Sequence, residues 1–258
     1  MPSYSLTQQL LASDEEGYKR ATQSKFLRLA ANGQLSKDVL GRWLANDRLY
    51  IHSYCRGLGR LLSFLEYPDT VRRGEDPSAT TKLLDWIVAA LVNIRREEKF
   101  FIDTAADYGI EVNLETEASG RVASSTKLEG LGRWEALFQS VAQSDSDVLP
   151  WLEAVIVYWG TEKCYLDAWS WAKAQLTVQE DPSKDADGGA VRKEFINNWT
   201  CKEFVEFVDD LGRIIDEAVA KEVEKKGESF KAELYKRVEG KWRDVLLAEE
   251  AFWPAISE

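Results

Sequence analysis

Apolar side chains recur at steps of three and four residues along nearly the whole chain. Leu40, Trp43 and Leu44 follow this spacing, and Ile51 and Tyr54 continue it further along. Such spacing places the apolar side chains on one face of a helix, where they can be buried together. Sustained alternation of apolar and polar residues, the pattern of a half-buried strand, is not found. The sequence therefore predicts an all-α protein.

Residues that favour turns and helix ends divide this pattern into about seven helices. Asn32 and Gly33 end the first helix, and Ser36 is suited to cap the N-terminus of the next one. Gly109 ends another helix, and Pro150 is suited to the first turn of the helix that follows it. We expect these helices to pack as a globular bundle.

The segment 180–189, EDPSKDADGG, is acidic and contains proline and glycine. This composition predicts a mobile loop. Two long helices are predicted after it, at about 190–225 and 228–256. With 45% hydrophobic residues, a chain of 258 residues can bury a substantial core, and we expect a single domain over 1–258.

The chain is acidic, with 33 basic and 44 acidic side chains and a net charge of −11. This charge repels phosphate backbones and anionic lipid headgroups, so nucleic acid and membrane surfaces are poor partners. The N-terminal segment contains acids and no uninterrupted apolar stretch, which argues against a signal peptide. Nowhere do about 18 apolar residues run together, as a membrane-spanning helix requires. We therefore expect a cytoplasmic protein.

Histidine and cysteine are scarce. His52 is the single histidine, so the several imidazoles of a di-iron carboxylate bundle are excluded, although one histidine could serve as a haem ligand. On a helix rich in aromatic residues we favour a structural role for it. Cys55, Cys164 and Cys201 form no CxxC motif, which indicates reduced thiols rather than a disulfide framework or a zinc site. We expect no metal and no cofactor.

One carboxyl group falls on an apolar helix face. Asp47 follows Trp43 by four residues and precedes Tyr50 by three. A carboxylate in such a place needs a partner or a task, because burying an isolated charge is costly. It could accept hydrogen bonds from an amidine-like edge of a ligand, or it could form a buried ion pair with Arg42 or Arg96. The spacing favours neither alternative.

A second candidate lies on the aromatic-rich helix VYWGTEKCY, residues 157–165. Ala154, Tyr158 and Glu162 are separated by four and four residues, so they share one helix face. Cys164 is two residues past Glu162, about 200° around the helix, and is interpreted as an apolar filler. Glu162 is therefore the better candidate for chemistry, and the alternative is that it is a solvated surface acid.

A third candidate lies near the end of the sequence. Glu249 precedes Phe252 by three residues and Trp253 by four, whereas Glu250 points elsewhere. If the two rings are buried, Glu249 faces inward. Three inward carboxyl groups and several aromatic rings from distant helices predict a pocket for a small, flat heterocycle.

Five segments of the chain carry a further pattern. In order they are ANGQLSKDVLGRWLANDRLYIHSY, NIRREEKFFIDTAADYGIEV, AVIVYWGTEKCYLDAW, FINNWTCKEFVEFVDDLGRIIDE and LLAEEAFWPAI. In this order they resemble the TenA proteins of thiamin salvage, which share the helical fold of haem oxygenase without its haem. The resemblance implies a haem-oxygenase-like, multi-helix bundle that assembles as a homo-oligomer, either a dimer or a tetramer.

The TenA family has two branches, one with a catalytic cysteine on the pocket helix and one that uses a glutamate. The cysteine lies four residues before a tyrosine, a position that falls on Ala154 if Tyr158 is that tyrosine. The glutamate branch carries a W-x-x-E-x-x-Y pattern, matched here by Trp159, Glu162 and Tyr165. The chain thus resembles the glutamate branch.

This resemblance implies a hydrolase that acts on aminomethyl- or formylaminomethyl-pyrimidines from degraded thiamin and releases hydroxymethylpyrimidine. Asp47 would hold the amino group and a ring nitrogen of this small-molecule pyrimidine substrate. Glu249 would protonate the departing amine, and Glu162 would activate water. Glu153 would take the place of Glu162 if the alignment shifts by one residue.

The resemblance also implies the walls of the substrate pocket. Tyr50 and Tyr158 would line the ring or position its groups, and Phe252 would lie beside the catalytic acid. Trp134 and Trp199 stand where the cysteine branch often has tyrosine. These walls are bulkier and form fewer hydrogen bonds, which slightly favours the first of two other hypotheses that stay open. One is an enzyme of the same fold that acts on another small aromatic metabolite, and the other is a non-catalytic ligand-binding or regulatory protein.

Overall fold

α-Helices make up most of the structure, a computed structural model that describes residues 4–176 and 181–256. In chain order the helices are α1 Leu6–Ser13, α2 Glu15–Thr22, α3 Lys25–Ala31, α4 Lys37–Ser63, α5 Ala79–Tyr108, α6 Glu129–Gln139, α7 Leu152–Ala174, α8 Ile196–Trp199, α9 Lys202–Lys226 and α10 Phe230–Phe252. Within the described residues, β-pairing is limited to an isolated bridge between Thr116 and Val122. The all-α prediction is confirmed.

Local side-chain chemistry sets several of the helix ends. The Ser36 hydroxyl accepts a hydrogen bond from the Val39 backbone N–H at 3.4 Å where α4 begins, and Ser78 caps α5 in the same way. Gly109 ends α5 in the left-handed conformation, with φ of 63°, which glycine adopts without strain. The predicted helix boundaries at Ser36 and Gly109 are confirmed.

The segment before Asn32 forms three short helices instead of the single helix that was predicted. Asp14 accepts a hydrogen bond from the Gly17 N–H at 2.8 Å and starts α2. Ser24 accepts one from the Leu27 N–H at 3.2 Å and starts α3. These two N-caps interrupt an apolar pattern that by itself could have continued as one helix.

The helix predicted at 190–225 is also interrupted. It begins as a π-helical turn, Val191–Phe195, continues as α8 and breaks at Thr200. The Thr200 hydroxyl donates to the Ile196 carbonyl at 2.6 Å, and Cys201 is extended before α9 starts. Pro150, which the sequence made suitable for the first turn of a helix, precedes α7, and Trp151 occupies the N-cap position.

Buried contacts hold the acidic segment over 181–189; its first residue, Glu180, lies outside the described residues. The Asp185 carboxylate forms a buried ion pair with Arg192, in which Nη2 lies 2.6 Å from Oδ1. Asp187 accepts backbone hydrogen bonds from Gly189 and Val191 at 2.8 and 2.7 Å. These buried contacts involve a segment whose acidic, glycine-containing composition predicted a mobile loop, and its mobility stays a prediction.

The core lies where the long helices meet. α10 packs on α2, α6 and α7, while α4 packs on α5 and α6, and α9 packs on α5 and α7. Trp43, Trp134, Trp169 and Trp242 are fully buried among them. Within the described part of the chain, no helix is both long enough and apolar enough to cross a membrane.

Candidate functional site

A cavity of about 330 Å³ lies between α4, α5, α7 and the start of α9. Four carboxyl side chains line it; Asp47, Glu97 and Glu162 come from three helices, and Glu203 lies at its exposed side. The rest of its wall is largely aromatic, with the side chains of Tyr50, Phe101, Tyr165, Trp199, Phe204 and Phe207. A carboxyl-bearing, aromatic cavity of this volume suits a small heterocyclic ligand.

Asp47 is 3% exposed and reaches the cavity from α4. Among the described residues its one hydrogen-bond partner is Tyr165, whose hydroxyl lies 3.4 Å from Oδ2. The ion pair with Arg42 or Arg96 that the sequence left open is not formed; the Arg96 side chain is exposed. Burial raises the pKa of Asp47 well above its usual value, Glu97 and Glu162 raise it further, and Tyr165 partly opposes the shift.

Glu162 faces the cavity from α7 rather than the outer surface, so the alternative of a solvated surface acid does not fit the structure. The Tyr54 hydroxyl donates to Oε1 of Glu162 at 2.6 Å. Burial raises the pKa of Glu162 to about 7; the Tyr54 hydrogen bond lowers it and the charge of Glu97 raises it. A carboxyl with this pKa is suited to exchange protons near neutral pH.

Glu97, on α5, belongs to the cavity but was missed from the sequence. Asn198 Nδ2 lies 3.0 and 2.9 Å from its two carboxyl oxygens, and Trp199 Nε1 lies 3.1 Å from Oε2. Burial raises its pKa, and these donors partly oppose that effect. The neighbouring Glu98 instead pairs with His52 and with an arginine of α5. Two adjacent glutamates on a predicted helix point about 100° apart, so the pair could have raised the question of which one faces inward.

Two of the proposed wall residues, Tyr50 and Trp199, line the cavity. Tyr50 also shares a hydrogen bond of 2.6 Å with Thr161. Trp134 and Phe252 lie one layer behind, with ring centroids 5.7 and 5.8 Å from that of Tyr50. Both are nearly unexposed, and they support the wall without forming its surface.

Tyr158 also lies behind the wall. Its hydroxyl donates to the Tyr54 carbonyl at 3.3 Å and stands where a Cβ on Gly57 would lie, so this side chain fills a close contact between α4 and α7. The tyrosine of α7 at the cavity is Tyr165, seven residues later. Tyr158 and Tyr165 lie two turns apart on the same face of α7. If Tyr165 is the tyrosine of the family pattern, the position four residues before it is Thr161 instead of Ala154.

Glu249 is brought close to the other carboxyls but not onto the cavity surface. It is 2% exposed, and both its Oε1 and Nε1 of the nearby Trp134 lack a hydrogen-bond partner among the described residues. Burial raises its pKa well above the usual value, and the charges of Asp47 and Glu162 raise it further. Glu249 thus faces the interior, as the sequence predicted, but it lies behind the residues that line the cavity.

Two other residues of α7 lie away from the cavity. Glu153 forms a two-point ion pair with Arg237, at 2.8 Å from Nε and 2.8 Å from Nη2, and accepts a hydrogen bond from Ser144. This pairing gives it a structural task and separates it from Glu162. Cys164 is fully buried, with a raised pKa, and faces away from the cavity as its helical position predicted.

Comparison with known proteins gives one sequence relative and several structural ones. No family model matches the sequence. A probable transcription factor of Fusarium pseudograminearum (strain CS3096) is 27% identical, over 83% of this chain and 45% of its own length. The chain therefore spans less than half of that relative.

Several solved structures that are similar to this chain are TenA homologues or members of the TenA family. One from Pyrococcus furiosus is 22% identical, with a TM-score of 0.66 over 96% of this chain and 98% of its own. A TenA family transcription regulator from Silicibacter sp. TM1040 is 14% identical, with a TM-score of 0.64 over 98% and 96%. One from P. horikoshii OT3 is 14% identical, with a TM-score of 0.61 over 97% and 99%. The chain therefore has the fold of the TenA homologues, as the resemblance in the sequence predicted.

Proposed function

We propose that this chain is a hydrolase that acts on aminomethyl- or formylaminomethyl-pyrimidines from degraded thiamin and releases hydroxymethylpyrimidine. The substrate class comes from the resemblance to the glutamate branch of TenA proteins. The observation that carries the proposal is that Glu162, with a pKa of about 7, faces Asp47 across one aromatic-walled cavity.

Asp47 is suited to recognise the pyrimidine. Its raised pKa favours the neutral carboxylic acid, which presents an O–H donor beside a carbonyl acceptor. An aminopyrimidine edge presents a ring-nitrogen acceptor beside an N–H donor, so the two edges can form a pair of hydrogen bonds. The rings of Tyr165 and Trp199 offer flat surfaces for the heterocycle in the same cavity.

Glu162 is suited to handle the proton of the attacking water. In its carboxylate form it takes a proton from water as the oxygen bonds to the methylene carbon and the C–N bond breaks. The protonated amine departs with the bonding electron pair as ammonia, so that water and substrate give hydroxymethylpyrimidine and ammonia. A base with a pKa close to the working pH is efficient in such a transfer.

Glu249 acts through the other carboxyls in this proposal. It lies behind the wall, where its charge interacts with Asp47 and Glu162. The role of acid for the departing amine, which the resemblance implied for Glu249, requires contact with the substrate. We therefore treat Glu249 as a positioning residue, whose replacement by glutamine costs less activity than the replacement of Glu162.

Product analysis tests the proposal. The purified chain is incubated with the aminomethyl-pyrimidine, and hydroxymethylpyrimidine is quantified by mass spectrometry. Glu162→Gln is expected to lower kcat by about 10²- to 10⁴-fold, the contribution of a general base. Glu153→Gln is the matched control on the same helix, because Glu153 pairs with Arg237 away from the cavity. Binding of both pyrimidines without any product from the wild-type chain would contradict the proposal.

A second candidate keeps the fold and changes the substrate to another small aromatic amine. The observation that favours it is Trp199, which presents a ring to the cavity while its N–H is bound to Glu97. This part of the wall therefore favours a flat ligand ring and does not require a particular pattern of hydrogen-bond donors on the ligand. Turnover of other aromatic amines, with none of the pyrimidines, would support this candidate.

The name of the Fusarium relative raises a third possibility, gene regulation. That name describes a protein more than twice the length that this chain matches. The net charge of −11 makes contact with DNA phosphates unfavourable. A regulatory role would thus have to operate through ligand or protein binding.

A further inference from the structure

Glu97 differs from the other cavity carboxyls because nitrogen donors fix its orientation. Asn198 Nδ2 contacts both of its oxygens and Trp199 Nε1 contacts Oε2, at distances between 2.9 and 3.1 Å. A carboxyl group has about four acceptor sites, so these contacts leave capacity toward the cavity. The proposed hydrolysis gives Glu97 no role so far.

The inner part of the cavity is acidic. Glu97 and Glu162 line it together with Asp47, which is 3% exposed and whose one hydrogen bond within the described residues is 3.4 Å long. Arg96 is the basic residue among the described lining residues, and its side chain is exposed, as is that of Glu203. A positive charge in the inner cavity would therefore be attracted by Glu97 and by the carboxylate form of Glu162, and it would be screened less than at the surface.

The donors that the structure shows beside Glu97 and Asp47 are already directed at these two carboxyls. The N–H groups of Asn198 and Trp199 are directed at Glu97, and the Tyr165 hydroxyl is directed at Asp47. A carbonyl oxygen placed beside Glu97 would have to compete with that carboxyl for the N–H groups of Asn198 and Trp199. Burying a polar oxygen without a hydrogen bond is unfavourable.

We propose that Glu97 is a specificity-determining residue that selects a protonated primary amine, and so favours the aminomethyl-pyrimidine over its N-formyl derivative. An ammonium group has a positive charge and three N–H donors, which match carboxyl acceptors. The formyl derivative is neutral at that nitrogen and adds a carbonyl that needs a donor. The heterocycle named here rests on the proposed function, whereas the preference for a cation rests on the cavity.

Binding to the wild-type chain gives the first test. Calorimetry at pH 7 compares the aminomethyl-pyrimidine with its N-formyl derivative and with hydroxymethylpyrimidine, in which a neutral hydroxyl replaces the amine. We expect the amine to bind at least about tenfold more tightly than either neutral compound, the lower end of the value of a hydrogen bond to a charged group. Equal binding of the amine and the neutral compounds would overturn the proposal without any variant.

Variants at neighbouring glutamates give the second test. Glu97→Gln is expected to weaken binding of the amine by about 10- to 100-fold and to change binding of the formyl derivative by less than about threefold. Glu97→Asp, which keeps the charge, should retain part of the preference. Glu98→Gln is the matched control, because Glu98 pairs with His52 and Arg95 instead of lining the cavity. Equal losses for amine and formyl compound in Glu97→Gln would also overturn the proposal.

The two proposals fail in different ways. The calorimetry samples are also analysed for hydroxymethylpyrimidine formed from the amine. A Glu97-dependent preference for the amine without product would refute the hydrolase and leave the selectivity intact. Product formation without such a preference would refute the selectivity and leave the hydrolase intact.

Discussion

Asp47, Glu97 and Glu162 carry the same functional group, but the donors around them differ. Glu97 accepts hydrogen bonds from two nitrogen donors. Glu162 accepts a short one from the Tyr54 hydroxyl, and Asp47 accepts a long one from Tyr165. Burial outweighs these donors, so the pKa of each carboxyl is raised. The donors nevertheless oppose the shift, and removing one of them should change the pKa of its partner in a predictable direction.

Tyr54→Phe tests this relation at Glu162. The Tyr54 hydrogen bond lowers the pKa of Glu162, so its loss should raise that pKa above about 7. The carboxylate form that serves as base would then appear at higher pH, so the acidic limb of the kcat/KM profile should shift to higher pH. Tyr67→Phe is the control, because Tyr67 is exposed and lies outside the cavity wall. If the acidic limb of Tyr54→Phe lies at the same pH as that of the wild type, the prediction that the Tyr54 hydrogen bond sets the pKa of the catalytic base is wrong.

Glu249→Gln tests the cost of a buried acid. The pKa of Glu249 is raised in the folded protein, so the folded state holds this proton more tightly than the unfolded state. Stability is therefore lost as pH rises above the ordinary glutamate value toward the folded-state pKa. We expect the free energy of unfolding of Glu249→Gln to exceed that of the wild type at pH 8, but not at pH 4.

Urea unfolding at the two pH values measures this difference. The matched control is Glu250→Gln, because Glu250 is partly exposed and pairs with Arg20 at the surface. Its stability should follow the wild type at both pH values to within about 0.5 kcal/mol. The buried-acid interpretation fails if Glu249→Gln and Glu250→Gln show the same pH dependence.

The helix faces were predictable from periodicity, but the turn of each helix that meets the cavity was not. Tyr158 and Tyr165 are seven residues apart and lie on one face of α7. Packing decides between them. Tyr158 stacks on Phe138 of α6, with ring centroids 5.4 Å apart, and is fully buried, whereas Tyr165 lies beyond α6 and lines the cavity. A one-dimensional pattern does not contain that information.

The wall that holds Glu97 was less predictable still. Asn198 and Trp199 come from α8, a single turn between a π-helical segment and the break at Thr200. A regular helix over 190–225, as periodicity predicted, would have given these side chains another direction. The preceding acidic segment makes long-range contacts, including the hydrogen bond from the Ala186 N–H to the Gly33 carbonyl, and periodicity along the chain does not contain such contacts.

Asp187→Ala tests the anchoring of that segment. Its buried carboxylate accepts backbone hydrogen bonds from Gly189 and Val191 at the start of the π-helical turn. Loss of a charged acceptor that leaves buried N–H groups unpaired should lower the free energy of unfolding by about 1–3 kcal/mol. Asp181→Ala is the control, because its hydrogen bonds to Ser183 are exposed. Urea denaturation measures the free energy of unfolding of both variants. Equal losses of stability in the two would contradict the anchoring by Asp187.

The charge of the whole molecule and the carboxyl groups of the cavity between α4, α5, α7 and α9 both favour small cationic ligands. The net charge of −11 attracts cations at long range, and the acidic inner cavity continues that preference at short range. The assembly of the chain is a separate question. The homo-oligomer that the resemblance implied stays a prediction, which light scattering in solution tests directly.

The same charge leads to a prediction about DNA. Non-specific binding depends on basic side chains that replace counterions along the phosphate backbone, with dissociation constants of about 10⁻⁴–10⁻⁶ M at physiological salt. Because acidic groups outnumber basic ones by 11 in this chain, we expect duplex DNA to bind more weakly than this range. Fluorescence anisotropy with labelled duplexes at two salt concentrations measures it. Binding within that range that weakens steeply with salt would reveal a local basic surface and contradict the prediction.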